Sequence, residues 1–505
     1  MVDIRNKLTD IKKLIDQKSY FTINRGWQYG KTTTLIHLHE FLRNDYTVLS
    51  LTFEGLGDES FRDTAAFCQK FLELISRALR LTDVSSDDRK KWLDKSIVDF
   101  DSLSEHITKL SESKKFVLLI DEVDKISNNR VFLQFLSMLR KKFLERKARR
   151  DFTFHSVILA GVYDVKNIKL KMHEDGIATS SKEIGALYNS PWNIAVDFKV
   201  RMSFNPVEIA SMLVDYEKDH QTGMNVREIS ESIYYWTGGY PFLVSKLCKS
   251  IDENLGKLWD THHIQQAVND LLREKNTLFE NVTKNLKNHP EVYHLLYDVL
   301  IVGARRTFNI YETAIELSHR YGIIRDENGF VKIANPIFET LITNYFISQD
   351  EKTFKRSGVL YEDIVRKGKF DMASCLEKFA KHYREIYNDR DEQFLEREER
   401  LLFLTYLKPL LNGRGFYHIE SGLTDERRMD VVVDFGNEQF IVELKRWDGI
   451  SKHEKAYLQL VGYMEKKEAM EGYLLTFGGS KGMKSQHQSR WINQADGKKI
   501  FDVIV

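Results

Sequence analysis

Short apolar, β-rich runs alternate with helical stretches over the first 200 residues, at 20–24, 47–53, 116–120, 156–160 and 194–200. That alternation predicts a parallel sheet covered by helices. From about 203 to 350 the pattern is mainly helical. One late pair of apolar runs, Gly322-Ile323-Ile324 and Val331-Lys332-Ile333, flanks Asp326-Glu327-Asn328-Gly329. Helices followed by a small hairpin predict a winged-helix unit. Around 346–380 the chain is charged and poor in apolar periodicity, which predicts a linker or connecting helices. A second α/β unit follows: a helix near 394–411, a turn at Asn412-Gly413-Arg414-Gly415, strands at 415–420, 429–435 and 439–444, a helix near 452–468, and a closing strand at 472–477. No repeat or low-complexity tract interrupts this order.

Length and composition narrow the classes. At roughly 100–200 residues per domain, 505 residues imply three or four folded units. With 42% hydrophobic residues, 30% charged residues and 6 prolines, the chain can fill real cores. Lysine plus arginine is 75 and aspartate plus glutamate is 74, so no overall field announces a nucleic-acid or membrane partner. Cys68, Cys248 and Cys375 lie far apart, with no disulfide framework and no thiolate zinc spacing. The first residues lack an apolar signal core and no run approaches a bilayer span, so a cytoplasmic protein is expected.

The first candidate chemistry follows the first strand. Asn24-Arg25-Gly26-Trp27-Gln28-Tyr29-Gly30-Lys31-Thr32-Thr33 runs from strand to loop to helix, as a Walker A site does. Loop amides from Gly26 through Gln28, Tyr29 and Gly30, with the helix start at Thr32 and Thr33, would cradle phosphate oxygens. Lys31 would neutralise the β and γ phosphates, and the Thr32 hydroxyl would complete a Mg²⁺ shell. Arg25 stands where G-x-x-x-x-G-K-T has its opening glycine. About 90 residues later the buried run 116–120 closes on Asp121-Glu122-Val123-Asp124, a Walker B strand. Asp121 would hold Mg²⁺ through water, and Glu122 would orient or polarise the attacking water.

The second lies in the C-terminal unit. Asp430-Val431-Val432-Val433 leads through Gly436-Asn437 into Phe440-Ile441-Val442-Glu443-Leu444-Lys445. Alternation puts Glu443 and Lys445 on one face, and the hairpin partner can bring Asp430 beside them. Two carboxylates so placed can share Mg²⁺ while the lysine positions or helps deprotonate a water for attack on a phosphodiester. Gln459 and Tyr463, at i and i+4, share a face of the following helix.

These stretches carry a resemblance. Residues 18–248 resemble the AAA-ATPase-like family of P-loop ATPases, related to the STAND group of regulatory switches. Beyond the Walker motifs, the match includes Leu51-Thr52-Phe53-Glu54-Gly55-Leu56-Gly57-Asp58, Leu159-Ala160-Gly161-Val162-Tyr163-Asp164, Ser190-Pro191-Trp192-Asn193-Ile194 and Thr237-Gly238-Gly239-Tyr240-Pro241-Phe242. The resemblance implies that Gly239 and Pro241, on the helical lid, contact the nucleotide on its adenine side. Where the family usually shows Arg-Gln-Thr before Gly-Lys-Thr, this chain has Trp27-Gln28-Tyr29. Tyr163 or Asp164 follows the fourth strand, where a γ-phosphate sensor belongs; sensor and arginine finger stay unassigned. Residues 322–346 resemble the winged helix that follows such cores. Without a visibly basic recognition helix, bracing the lid is favoured over reading DNA.

The tail from about 394 resembles the PD-(D/E)XK nuclease domain, with Asp430, Glu443 and Lys445 as its motif and Gln459 and Tyr463 as the Gln-x-x-x-Tyr element of several branches. The resemblance adds an acid on the first helix, for which Glu398 matches best, with Glu396 and Glu399 as competitors. Lys481, Lys484, Arg490, Lys498 and Lys499 form a basic cluster that could grip phosphates.

The expected architecture is an α/β multidomain chain: a P-loop AAA+-type core at 1–202, a helical lid at 203–275, a winged helix at 276–350, linker helices at 351–390, and a restriction-endonuclease-like α/β domain at 391–505. The expected activity is an ATP-regulated, Mg²⁺-dependent nuclease, with Mn²⁺ as the alternative ion at the nuclease site and DNA as the first-choice substrate. The rival is an ATP-switched regulatory or DNA-binding scaffold with an inactive nuclease-like tail. The resemblance also suggests ATP-dependent homo-oligomers and anti-phage defence or mobile-element biology.

Overall fold

The computed structural model describes residues 2–81, 89–93, 96–123, 129–162, 192–302, 304–350, 364–366, 369–389, 392–411, 415–420, 430–436, 438–447, 449–467, 469–478, 489–494 and 497–505. They divide into two compact units: Met1–Tyr234, Gly239–Lys249 and Arg320–Gly322 form one, and Tyr235–Gly238, Ser250–His319 and Ile323–Val505 the other.

In the first unit the order is α1 (Arg5–Asp16), β1 (Tyr20–Asn24), α2 (Lys31–Leu42), β2 (Thr47–Thr52), α3 (Thr64–Ala78), α4 (Phe100–Ser111), β3 (Phe116–Asp121), α5 (Arg130–Lys147) and β4 (Ser156–Gly161). The strands form a parallel sheet in the order β1-β4-β3-β2. Alternation along β3 explains its unbroken apolar run. Phe116, Leu118 and Ile120 join Phe67, Phe71 and Phe135 in one core, while Val117 and Leu119 join Ile15, Leu35 and Leu38 in another. Four of the five expected strands therefore form. The fifth, at 194–200, is reduced to one bridge between Val196 and Phe21. Val196 and Asp197 are exposed, while Ile194 and Ala195 pack with one core and Phe198 and Val200 with the other. The lid begins with α6 (Pro206–His220), entered through a capping box of Asn205 and Glu208, and continues through α7 (Val226–Thr237) and α8 (Pro241–Asn254).

The second unit contains α9 (Thr261–Arg273), α10 (Thr277–Asn288), α11 (Pro290–Tyr297) with a π-helical turn at Asp298–Val302, α12 (Thr313–Arg320), the hairpin β5 (Ile324–Glu327) and β6 (Phe330–Ile333), and α13 (Pro336–Asp350). The hairpin falls where the sequence predicts it. Asn328 and Gly329 both take positive φ (54° and 83°), as a tight two-residue turn requires. A small ribbon, β7 (Val365–Arg366) with β8 (Lys369–Phe370), then precedes α14 (Met372–Asp389). This helix is more than the expected connection. Phe379 packs against Phe403, Tyr406 and Phe477, so the segment belongs to the core of the C-terminal sheet.

After α15 (Glu392–Leu411) come β9 (Gly415–Glu420), β10 (Asp430–Phe435), β11 (Glu438–Arg446), α16 (Ile450–Lys466), β12 (Glu471–Phe477), β13 (Ser489–Asn493) and β14 (Lys499–Ile504). The mixed sheet has the order β13-β14-β12-β11-β10-β9. It is two strands wider than expected, because Ile500, Phe501 and Val503 are buried in a run that the flanking lysines disguise. Ala456, Leu460 and Met464 of α16 cover Ile441, Leu474 and Ile500 on one face. Gly472 permits the approach, since a Cβ there would lie 2.5 Å from the Met464 sulfur.

Candidate active sites

The Walker A loop ends at Gly30, whose φ of 78° places it in the left-handed region before α2, and Gln28 is likewise left-handed at 56°. Lys31 is buried, and its ammonium donates to the carbonyls of Arg25 (3.0 Å) and Gly26 (3.1 Å). Across the sheet, the Thr32 hydroxyl donates to Asp121 Oδ2 at 2.6 Å. The other oxygen, Oδ1, accepts the Glu122 amide at 2.9 Å, and Glu122 itself has φ 58°. Thr32 and Asp121 are thus joined at the end of β3, with the Glu122 backbone beside them and the Lys31 ammonium on the loop carbonyls. Thr33 is exposed on the first turn of α2.

An aromatic clamp holds the loop. The Tyr240 hydroxyl donates to the Trp27 carbonyl, and its ring meets Tyr29 edge-on at 4.5 Å. Trp27 stacks on Tyr321 at 4.9 Å. Gly26 is needed for this contact, because a Cβ there would come within 2.6 Å of the Tyr321 carbonyl oxygen. Burial raises the phenol pKa of both Tyr29 and Tyr240, so both stay neutral. The lid element sits directly on the loop: Pro241 lies 3.8 Å from where a Gly30 Cβ would be, and the Gly239 carbonyl accepts from the Phe204 amide at 2.8 Å. The loop residues Trp27 and Tyr29, which depart from the family pattern, are the ones the clamp grips. Tyr240→Phe leaves the Trp27 carbonyl without its donor. A loss of about 1 kcal/mol in stability is expected, together with nucleotide binding several-fold weaker, readable from melting curves with and without ATP.

In the C-terminal unit, β10 and β11 pair antiparallel with Asp430 directly opposite Glu443. Lys445 Nζ lies 3.1 Å from Glu443 Oε1, and Glu443 is only 2% exposed. The backbone therefore brings the three motif positions together; the Asp430 side chain lies outside the described residues. Glu398 falls within α15, and its side chain, like that of Glu396, lies outside them too. Glu399 faces elsewhere, pairing at 3.5 Å with Arg446, which alternation places on the opposite side of β11 from Lys445. Gln459 is half-buried on α16, beside Leu460, which packs on Ile441. Of the basic cluster, Arg490 stands on β13 and Lys499 on β14, while Lys498 approaches Glu465 at 4.0 Å. Asp124, Tyr163, Asp164, Ser190, Pro191, Lys481 and Lys484 lie outside the described residues.

Sequence reasoning missed an extension of this site. Register aligns Glu443 with Leu474 and then Asp502, and Lys445 with Thr476. His453 of α16 bridges these rows, with Nε2 at 3.1 Å from Asp502 Oδ2 and Nδ1 at 3.3 Å from the Thr476 hydroxyl. Asp502 is 2% exposed, and its Oδ1 has no hydrogen-bond partner among the described residues. An acid inside the apolar run 500–504 is the signal that could have revealed it.

The donor sets suit hard divalent cations. Thr32 with Asp121, and Asp430 with Glu443, offer only oxygen, and the Glu443 Oε1 beside the Lys445 ammonium is buried. Among the described residues no three His, Cys, Asp or Glu side chains already converge as a metal shell.

Residues 8–347 match the AAA-like domain family. The chain belongs to that family. In this AAA-like protein, residues 416–489 match in addition the PD-(D/E)XK nuclease superfamily. An uncharacterized WD repeat-containing protein of Synechocystis sp. is 23% identical over 256 residues, 47% of this chain and 20% of that protein, so the chain spans about one fifth of that relative's length. Among solved structures, a Walker-type ATPase of Pyrococcus abyssi aligns with TM-score 0.45 and 12% identity over 68% of this chain and 96% of its own. The ORC2 protein of Aeropyrum pernix aligns with TM-score 0.37 and 11% identity over 69% and 94%. The RuvB branch migration motor of Thermotoga maritima gives 0.33 and 12% over 66% and 92%. Among the described residues, no helix of this AAA-like protein is long and apolar enough to cross a membrane.

Proposed function

We propose that the chain is a nucleotide-controlled, divalent-metal-dependent nuclease that hydrolyses phosphodiester bonds, with DNA as its substrate. The observation that supports this most is the pairing of Asp430 with Glu443 and the approach of Lys445 to 3.1 Å from that buried carboxylate. Asp430 and Glu443 would hold Mg²⁺ or Mn²⁺. When bound, the ion would supply Lewis-acid polarisation of the phosphate and a more acidic water. Lys445 orients the attacking water and offsets the negative charge that grows on the phosphate oxygens. The phosphorus–oxygen bond to the leaving sugar breaks, and that sugar oxygen takes up a proton. Thr476, anchored through His453 to buried Asp502, stands on the strand next to Lys445 and limits its positions.

In the P-loop unit, Lys31 would neutralise the triphosphate, with Thr32 and Asp121 as the Mg²⁺ side. Control by nucleotide is supported by the clamp. Tyr321, stacked on Trp27, is joined through Gly322 and Ile323 to the first strand of the winged-helix hairpin. A phosphate that reorders the loop acts on that connection through Trp27.

The test is a cleavage matrix: supercoiled plasmid, single-stranded DNA and RNA, each with Mg²⁺ or Mn²⁺ and with ATP, ADP or no nucleotide. The expected result is metal-dependent cleavage of DNA whose rate changes with nucleotide. ATP binding without cleavage in any lane would replace this proposal with a switch whose nuclease-like tail only binds.

A further inference from the structure

A cavity of about 180 Å³ opens within the second unit, lined by Asn269 and Arg273 of α9, Thr340 and Asn344 of α13, Lys408 of α15 and Tyr417 of β9. At about 30 Å³ per water, that is room for about six waters, enough for a phosphate with part of a sugar. Among the described residues its lining carries two cations and no carboxylate. Lys408 is half-buried and forms no ion pair among the described residues. The Tyr417 hydroxyl donates to Asn344 Oδ1 at 2.9 Å. With its oxygen so committed, the Asn344 amide is left to present N–H donors. Arg273 and Lys408 close their helices, where a cation also offsets the partial negative charge of the last carbonyls. That role needs neither a shared cavity nor an oriented amide beside it.

We infer that this cavity is a binding site for a phosphate ester, gripped by Lys408, Arg273 and the Asn344 amide. A guanidinium, an ammonium and an amide donor converging from separate elements suit a tetrahedral dianion. The ligand is distinct from the strand being cut. Tyr417 shares its register with Val433, and Val433 with Phe440, whereas alternation along β11 places Glu443 on the opposite face of the sheet from Phe440. The elements it would join reach the cleavage site all the same. Arg400 of α15, 4% exposed, donates to the Leu300 carbonyl, which anchors the other part of that helix. Tyr417 lies three residues before Glu420, which pairs with Asp430.

Binding is measured by calorimetry on the full chain carrying Lys31→Ala, which disables the P-loop, in EDTA so that nothing is cut. The probes are AMP and a five-nucleotide oligothymidylate. Saturable binding of AMP identifies a free nucleotide as the ligand class; binding of the oligonucleotide alone identifies a backbone phosphate. Either supports the site if it falls about tenfold with Lys408→Gln, weakens with salt, and is lost with Asn344→Asp in a protein that melts like its parent. No saturable binding of either probe, or equal affinity in Lys408→Gln, overturns it. Because no cleavage is read, the outcome is independent of the nuclease proposal.

Discussion

Lys445→Ala removes DNA cleavage by about 10²–10⁴-fold, the range a positioned catalytic group commands. The ammonium is 3.1 Å from a carboxylate that is only 2% exposed, and it lies at the same register as Thr476 on the neighbouring strand. Alanine deletes the group proposed to orient water and leaves Glu443 as a buried acid without its cation. Removing one partner of a buried pair commonly costs about 3–5 kcal/mol, so part of the loss could be structural. Lys445→Met, which keeps the stem, and a melting curve separate the two effects. A variant that folds, still gains thermal stability from Mn²⁺ and does not cut places the loss in chemistry. Glu443→Gln is expected to lose the Mn²⁺ stabilisation as well. Full cleavage in a folded Lys445→Met protein would assign the chemistry to another site.

How much of this could be read from the chain varies with the physics of each element. β3 was evident because both of its faces are buried, so every position from Phe116 to Ile120 is apolar and the acid at its end stands out. The hairpin at Asp326–Gly329 was evident because only a few residues tolerate positive φ in sequence. The pairing of Asp430 with Glu443 followed from period-two alternation and a short turn. The helix at Met372–Asp389 was hidden by its charge, although Met372, Leu376, Phe379 and Tyr383 recur at helical spacing and are all buried. β14 was hidden because Asp502 interrupts it and lysines precede it. Tyr321 had no local signal at all: its value to the P-loop comes from a carbonyl and a ring that only folding brings to Gly26 and Trp27. The bridge at Val196 shows the converse, a β-prone run that lies against β1 yet pairs with it at one position.

Glu122→Gln slows ATP hydrolysis by about 10²–10⁴-fold while leaving ATP binding near that of the parent protein. The argument rests on how the strand end is built. Asp121 is fixed from two sides, by the Thr32 hydroxyl at 2.6 Å and by the amide of Glu122 at 2.9 Å. That second bond accompanies a left-handed backbone at Glu122, φ 58°, a conformation that non-glycine residues adopt at some cost and that clusters at functional sites. Glutamine keeps the size, the backbone and the Asp121 bond, and removes only the charge that would polarise water. Binding, which the proposal assigns to Lys31 and the loop amides, is therefore expected to be retained, and a fluorescent ATP analogue with a phosphate-release assay measures the two separately. Equal turnover in Glu122→Gln and wild type would move the water-activating role to another residue. Loss of binding and turnover together would mean that the strained strand end, and not the carboxylate, is what the P-loop requires. Because the variant holds ATP without consuming it, its cleavage rate also reports the level set by the ATP-bound form. A rate equal to that of the nucleotide-free protein would uncouple the two sites.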